Sequence, residues 1–120
     1  MDGNYFILDR MLGRLVTWLR ILGYDTLYVK DLSVSFKEED DLMLFISKMS
    51  SRILVTRDKV LSQRARRYGL NHYYMRSDKI MEQLSELSLV YDIKLEPKMM
   101  RCSICNEILR RADLLTDRCS

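Results

Sequence analysis

Four aspartates, far apart in the sequence, adjoin segments that have the composition of buried strands or the start of a helix. They are Asp9, Asp40, Asp58 and Asp78. Asp9 lies one residue, Asp58 two and Asp78 three past the end of an apolar strand-like segment, and Asp40 opens a helical pattern. Because the carboxyl ends of parallel strands meet at one edge of a sheet, where ligands bind, we expect these carboxylates to gather there.

Such a cluster needs a partner of opposite charge. Two carboxylates about 4 Å apart repel by about 4 kcal/mol at an effective dielectric constant near 20. A divalent cation removes that cost, and hard oxygen ligands suit Mg²⁺ or Mn²⁺, which also bind phosphate. One or two such ions can activate water and stabilise the leaving oxygen in phosphodiester cleavage. The pattern therefore predicts a Mg²⁺ or Mn²⁺ site. The alternative interpretation of Asp40, Asp58 and Asp78 is helix capping without any further function.

Arginines stand beside the proposed carboxylates. Arg10 and Arg57 are sequence neighbours of Asp9 and Asp58, and Arg14 follows on the predicted outer face of the first helix. A guanidinium binds phosphate in a bidentate manner, so these three side chains are candidates for RNA binding. Gly13 between them could allow a backbone or a phosphate to approach closely. The alternative is a solvated helix face carrying a few ion pairs.

The elements that would position these residues alternate between strand and helix. The predicted strands cover residues 5–8, 24–29, 52–56 and 71–75, and helices begin near residues 11, 40, 59 and 78. A helix, a glycine and a strand follow one another twice, at Gly23 and at Gly69. A fifth strand near residues 91–95 is a weak prediction. This order predicts an α/β fold with a mainly parallel sheet and helices on both faces.

Apolar spacing predicts which side of each helix is buried. The predicted inward residues are Leu12, Leu15, Val16, Leu19 and Leu22 in the first helix, Leu42, Phe45, Ile46 and Met49 in the second, Leu61, Ala65 and Tyr68 in the third, and Ile80, Leu84 and Leu87 in the fourth. Trp18 borders the first stripe and is interpreted as packing, with base stacking as the alternative. His72 is interpreted as a strand residue rather than a ligand.

Composition limits the class of protein. The chain has 120 residues and a formal charge of +3, which is too small an excess to argue nucleic-acid binding by itself. No apolar run approaches 18 residues, and no basic-then-apolar signal opens the chain, so we expect an intracellular, cytoplasmic protein without membrane contact. Pro97, the only proline, precedes a basic segment bearing all three cysteines. We therefore divide the chain into residues 1–97 and a tail, 98–120.

Three stretches together resemble a known family. They are FILDRMLGRLVTWLRILGYDTLY, EEDDLMLFISKMSSRILVTRD and the CSIC near the end. The combination resembles the PIN-like ribonuclease family named for the C-terminal domain of the Mut-seven exonuclease, over nearly the whole chain. The resemblance implies a three-layer α/β/α PIN-like sandwich, metal-dependent endoribonuclease activity on RNA and a C-terminal zinc ribbon. It also makes a homodimer plausible.

The resemblance carries over residue by residue. The family's first acidic position falls on Asp9, its second on Asp40 with Asp41 as the alternative, and its third on Asp58. A further acidic position falls on Asp78, which would complete the metal shell or orient water. Asp9, Asp40 and Asp58 would then be the Mg²⁺ or Mn²⁺ ligands, and all four aspartates would be catalytic.

The cysteines match the family's zinc ribbon only in part. Cys102 and Cys105 form one C-x-x-C knuckle, whereas Cys119 stands alone 14 residues beyond Cys105. A four-ligand Zn²⁺ site needs one more donor. That donor could lie beyond the given chain, be His72 or an acidic side chain, or come from another chain. The odd cysteine number does not predict a disulfide framework.

Two other functions are compatible with the same residues. The first is a non-catalytic module that binds RNA or a ribosomal particle through its basic rim, with steep salt dependence and no cleavage. The second is a phosphoacceptor domain of the receiver type, which also groups acids at strand ends. That type expects an acidic pair after the first strand, whereas only Asp9 stands there.

Overall fold

The computed structural model describes residues 4–93, which form four strands and four helices in strict alternation. The strands are β1 (Phe6–Leu8), β2 (Thr26–Tyr28), β3 (Ile53–Thr56) and β4 (His72–Tyr74). The helices are α1 (Gly13–Ile21), α2 (Glu39–Ser50), α3 (Lys59–Arg67) and α4 (Ile80–Tyr91). Short 3-10 helices cover Arg10–Leu12, Val29–Leu32 and Phe36–Glu38.

The sheet is entirely parallel, in the order β2-β1-β3-β4. Phe6 pairs with Thr26 on one side and with Ile53 on the other, and Leu54 pairs with His72. The two central strands are apolar except for Thr56 and fully buried, as a strand covered on both faces must be. The predicted fold class is confirmed, and the architecture is consistent with a PIN-like three-layer sandwich.

Two separate hydrophobic cores lie on the two faces of the sheet. Phe6 and Leu8 point to the face covered by α1 and α4, whereas Ile7 between them points to the face covered by α2 and α3. The alternation follows from the two-residue repeat of a strand. All five apolar residues predicted for the first helix are buried, so that prediction is confirmed.

The inward faces of α2 and α3 differ from the predicted ones. In α2 the buried apolar residues are Met43 and Leu44, while Phe45 and Met49 are 61% and 68% exposed. Almost every position of this helix is apolar between residues 42 and 46, so its periodicity does not select one face. In α3, Leu61 and Ala65 are buried as predicted, but Tyr68 lies at the end of the helix and is 60% exposed.

Element boundaries differ at three other places. The fourth helix begins at Ile80 with Lys79 as its N-cap, and Asp78 does not open it. Residues 91–93 do not form the weakly predicted fifth strand, because α4 continues to Tyr91. The tail 98–120, its boundary at residue 97 and the three cysteines lie outside the described residues. Within residues 4–93, no helix combines the length and apolarity needed to cross a membrane.

Helices α1 and α3 end in the same manner. Gly23 and Gly69 have φ values of 94° and 69°, which are left-handed conformations that favour glycine. Each is followed by a backbone N–H that donates back into the helix, from Tyr24 to Leu19 and from Leu70 to Ala65. These Schellman-type ends turn the chain back toward the sheet, in agreement with the predicted helix-glycine-strand junctions.

Candidate active site

The candidate site lies at the carboxyl ends of β1 and β3. These strands are neighbours at the centre of the sheet, yet α1 leaves β1 toward one face and α3 leaves β3 toward the other. The divergence opens a crevice, and such a topological switch point is where α/β sheets bind ligands. Asp9 follows β1 directly, and Asp58 follows β3 after one intervening residue, Arg57.

Asp9 is held by three hydrogen bonds and is only 7% exposed. Its Oδ1 accepts from the backbone N–H of Met11 at 3.0 Å. Its Oδ2 accepts from the Thr56 hydroxyl at 2.5 Å and from the backbone N–H of Arg57 at 2.8 Å. The carboxylate therefore caps the 3-10 helix after β1 and also ties that loop to the end of β3.

Thr56 connects Asp9 to Asp58. Its hydroxyl donates to Asp9 and accepts the backbone N–H of Asp58 at 2.9 Å. Two consecutive hydrogen bonds thus join the two aspartates, which lie on the same edge of the sheet. Thr56 was not predicted as a site residue, although its position at the last residue of a buried strand next to Arg57-Asp58 was a visible signal.

Asp58 caps α3 with one oxygen only. Its Oδ1 accepts from the backbone N–H groups of Val60 and Leu61 at 2.8 and 3.3 Å. The capping interpretation is therefore correct for Asp58. The side chain is exposed, and no hydrogen bond to its Oδ2 is formed within the described residues, so that oxygen can accept a ligand.

Asp40 lies in the first turn of α2 and does not cap it, because the N-cap is Glu38. Burial raises the pKa of Asp40, and the negative charges of Asp58, Asp9 and Asp41 raise it further, while Arg64 lowers it. Asp9 and Asp58 thus lie near enough to Asp40 for their charges to act on it. Asp41, the alternative to Asp40, is exposed and forms an ion pair with Arg64 at 2.7 Å.

Asp78 follows the edge strand rather than one of the two central strands. It is exposed, in the loop between β4 and α4. The nearby ordered interactions belong to Glu86, which accepts from the Tyr73 hydroxyl at 2.6 Å and from the Ser77 hydroxyl. Burial, and next the bond to Glu86, raise the pKa of Tyr73 to about 12.

The three predicted RNA-binding arginines have different surroundings. Arg10 donates from Nε to both carboxylate oxygens of Glu39 and from Nη2 to its Oε2 at 2.5 Å. Its guanidinium carbon lies 5.4 Å from the centre of the Phe36 ring. The hydrogen bond to Glu39 raises the pKa of Arg10. Arg14 is exposed.

Arg57 is half-buried in the turn between β3 and α3. It donates from Nη2 to the backbone oxygen of Arg76 at 3.4 Å, and its Nε is buried without a hydrogen-bond partner in the part of the chain described. A buried donor without a partner is unusual in a folded protein.

Glu39 is the second site residue missed in the sequence. It is buried, and its carboxylate is neutralised by Arg10, which itself follows Asp9. Four consecutive residues, Glu38-Glu39-Asp40-Asp41, are acidic. The sequence does not show that Glu39 pairs with Arg10 whereas Asp40 does not, because that contact forms only in the folded protein.

Gly13 has a packing role rather than a ligand-binding one in this structure. A Cβ at this position would stand 3.0 Å from the Tyr28 hydroxyl, which donates to the backbone oxygen of Arg10 at 2.8 Å. The glycine therefore lets Tyr28 reach the loop that follows Asp9. Arg20, near the end of α1, is buried and donates to the backbone oxygen of Thr26.

The donor atoms at this edge suit a hard divalent cation, because they are carboxylate oxygens whose charges oppose each other. Within residues 4–93, however, no three His, Cys, Asp or Glu side chains form a ready-made metal-binding group. A cation would have to draw Asp40 and the free oxygen of Asp58 together with Asp9. The raised pKa of Asp40 is the observation that favours this fit.

Comparison with known families identifies the chain's relatives. Residues 4–116 match the family model described as the Mut7-C RNAse domain. The match covers nearly the whole chain, both glycine-ended helices and all residues of the candidate site. Neither the curated proteins nor the solved structures gave a significant match.

Proposed function

The chain belongs to the Mut7-C RNAse domain family, and from that premise we propose that it is a metal-dependent endoribonuclease. One observation carries the proposal. Asp9 and Asp58 follow neighbouring central strands of a parallel sheet, and burial, followed by the charges of Asp58 and Asp9, raises the pKa of Asp40. A cluster that is costly for the isolated fold is typical of a catalytic site.

We assign Asp9, Asp40 and Asp58 as the residues that would hold Mg²⁺ or Mn²⁺. When bound, such a cation supplies activation of water and stabilisation of the leaving 3′ oxygen. Asp9 is kept in one orientation by Thr56 and the backbone of Arg57, and Asp58 is kept in place by its bonds to the first turn of α3. Both ligands are thus preorganised by main-chain and hydroxyl donors.

The arginines at the crevice would contact the RNA backbone. Arg57, half-buried between Thr56 and Asp58, would contact a phosphate through the outer part of its guanidinium. Arg10 would contribute through the part of its guanidinium not bonded to Glu39, and Arg14 is free to do so from the exposed face of α1. Glu39 acts as a positioning residue, because it fixes Arg10 beside Asp9.

Asp9→Asn and Asp58→Asn test the assignment. Asp58→Asn keeps an acceptor oxygen for its capping bonds, so its stability should be close to wild type. Asp9→Asn keeps the side-chain shape but replaces one of two accepting oxygens by an NH2 group, so it should fold with a lowered melting temperature. Mn²⁺-dependent cleavage of single-stranded RNA should be lost in both. Circular dichroism and thermal unfolding are the controls for folding. Full cleavage by both folded variants would refute the metal assignment. Asp78→Asn, assayed in parallel, tests whether Asp78 orients water, as the family resemblance suggests.

A non-catalytic RNA-binding module is the second candidate, because no described trio of ligating side chains is already assembled for a metal. Its sign would be RNA binding that weakens steeply with salt, without cleavage in Mg²⁺ or Mn²⁺. Titration of the wild-type chain with Mn²⁺, followed by calorimetry, separates the two candidates. Asp40→Asn should abolish the heat of binding if the carboxylates hold the ion.

A further inference from the structure

A groove between α2 and α3 carries two exposed aromatic side chains beside the acidic edge. It has a volume of about 260 Å³ and is lined by Asp41, Leu44, Phe45, Lys48, Arg64, Tyr68 and Leu70. Phe45 and Tyr68 are 61% and 60% exposed, so neither ring contributes fully to the core beneath. Two large rings held at the mouth of one groove are not explained by packing and indicate a ligand with a flat apolar face.

The charges of the groove identify the kind of ligand. Arg64 pairs with Asp41 at 2.7 Å, so the carboxylate is neutralised and would not repel a phosphate. Lys48 also lines the groove and is exposed on α2. Aromatic faces combined with cations are what single-stranded nucleic acid requires, because bases stack while lysine or arginine contacts the backbone. The volume lies below the ~300–1,000 Å³ of pockets for drug-sized ligands and suits one ring system.

The groove is continuous with the candidate active site. Asp41 follows Asp40 on the first turn of α2, and Arg64 of α3 pairs with Asp41 at 2.7 Å. A nucleotide whose base lies between Phe45 and Tyr68 would therefore adjoin the nucleotide whose phosphate lies at the carboxylates. No chemistry is required of the groove itself, only the holding of one base.

We propose that the α2–α3 groove is a subsite that stacks one base of single-stranded RNA on Phe45 and Tyr68, with Lys48 on the adjoining backbone. The inference rests on the proposed ribonuclease function for its choice of RNA. It adds that the substrate must be unpaired on the side of the cleaved bond that leads into the groove, because a base in a duplex cannot stack on these rings. The subsite therefore selects single-stranded over double-stranded RNA.

The test measures binding without cleavage. A 5′-fluorescein ten-nucleotide RNA of mixed, non-self-pairing sequence is titrated with the chain in excess chelator, and its anisotropy gives the dissociation constant. Phe45→Ala and Tyr68→Ala should each weaken binding roughly 5- to 30-fold, which corresponds to the loss of one stacking partner. Tyr68→Phe retains the ring and should bind like wild type. Leu89→Ala, which removes an 83% exposed side chain on α4, is the matched control.

A second readout reports stacking itself. With 2-aminopurine placed in turn at each position of the same RNA, its fluorescence should fall on binding at one position with the wild-type chain, and this decrease should disappear in Tyr68→Ala. The proposal is overturned if both alanine variants bind RNA as tightly as wild type. It is also overturned if sedimentation shows a wild-type dimer that Phe45→Ala dissociates, because the groove would then be a contact between two copies.

These outcomes are separable from failure of the proposed function. If the wild-type chain never cleaves RNA but its binding depends on Phe45 and Tyr68, the subsite stands and the nuclease assignment fails. If the wild-type chain cleaves RNA and the alanine variants bind it normally, the nuclease assignment stands and the subsite fails. All substituted positions are exposed, and thermal unfolding of each variant verifies the fold.

Discussion

Replacement of Thr56 by valine tests how the acidic edge is held together. Thr56 is fully buried and its hydroxyl makes two hydrogen bonds, one to the Asp9 carboxylate and one from the Asp58 backbone. A bond to a charged group contributes about 1.5–3 kcal/mol and a neutral one about 0.5–1.5 kcal/mol. Because Asp9 keeps its bond from Arg57, we expect Thr56→Val to lower the free energy of unfolding by about 2–4 kcal/mol.

The assay is urea and thermal unfolding followed by circular dichroism. At roughly 4–6 °C per kcal/mol for a domain of this size, the melting temperature should fall by about 10–20 °C. Thr56→Ser is the matched control, since it keeps the hydroxyl and loses one buried methyl group worth about 1 kcal/mol. If valine costs no more than serine, the hydroxyl does not join the two strand ends and the reasoning about the site is wrong.

Three further predictions follow from other contacts. Because folding raises the pKa of Asp40, its ionisation lowers the free energy of unfolding as pH rises through that pKa. Asp40→Asn should therefore be more stable than wild type near pH 7 in chelator. In urea titrations this difference in stability should vanish toward about pH 3 and should become smaller when Mn²⁺ is added. Gly13→Ala should be neutral or destabilising in the wild-type chain, where the new Cβ would stand 3.0 Å from the Tyr28 hydroxyl. In a Tyr28→Phe background that hydroxyl is absent, and the same substitution should stabilise the protein by about 0.5–1 kcal/mol. Thermal unfolding of the four chains of this double-mutant cycle measures the difference. Arg52→Met removes bonds to the backbone oxygens of Phe6 and Asp25 at the opposite edge of the sheet and should cost about 1–3 kcal/mol in urea unfolding, while cleavage at saturating RNA is unchanged.

Much of the fold could be predicted from the sequence because local signals and topology agree. The apolar stripe of α1 and the glycines at residues 23 and 69 each have one interpretation, and the alternation of elements leaves few arrangements of the sheet. The face of α2 could not be predicted in this way. Its apolar residues surround the helix, so only contact with Ile7 and Leu54 of the sheet decides that Met43 is buried and Phe45 exposed.

The candidate site could be predicted in outline but not in its connections. Aspartates after strands are visible in the sequence, and Asp9 and Asp58 do follow neighbouring strands, with Asp40 near enough for their charges to act on it. The roles of Thr56 and Glu39 depend on partners 47 and 29 residues away, and no local pattern shows such pairings. Asp78 was grouped with the others because it also follows a strand, yet its strand lies at the sheet's edge and its loop is organised by Glu86.

The two roles of Asp58, as helix cap and as candidate ligand, affect how substitutions at this position should be interpreted. One oxygen holds the beginning of a helix and the other remains open to the crevice, so an alanine there would remove a structural support and a chemical group at once. Loss of activity in such a variant could result either from fraying of the first turn of α3 or from the missing ligand. Amide substitutions, which spare the support, are the informative ones at this position.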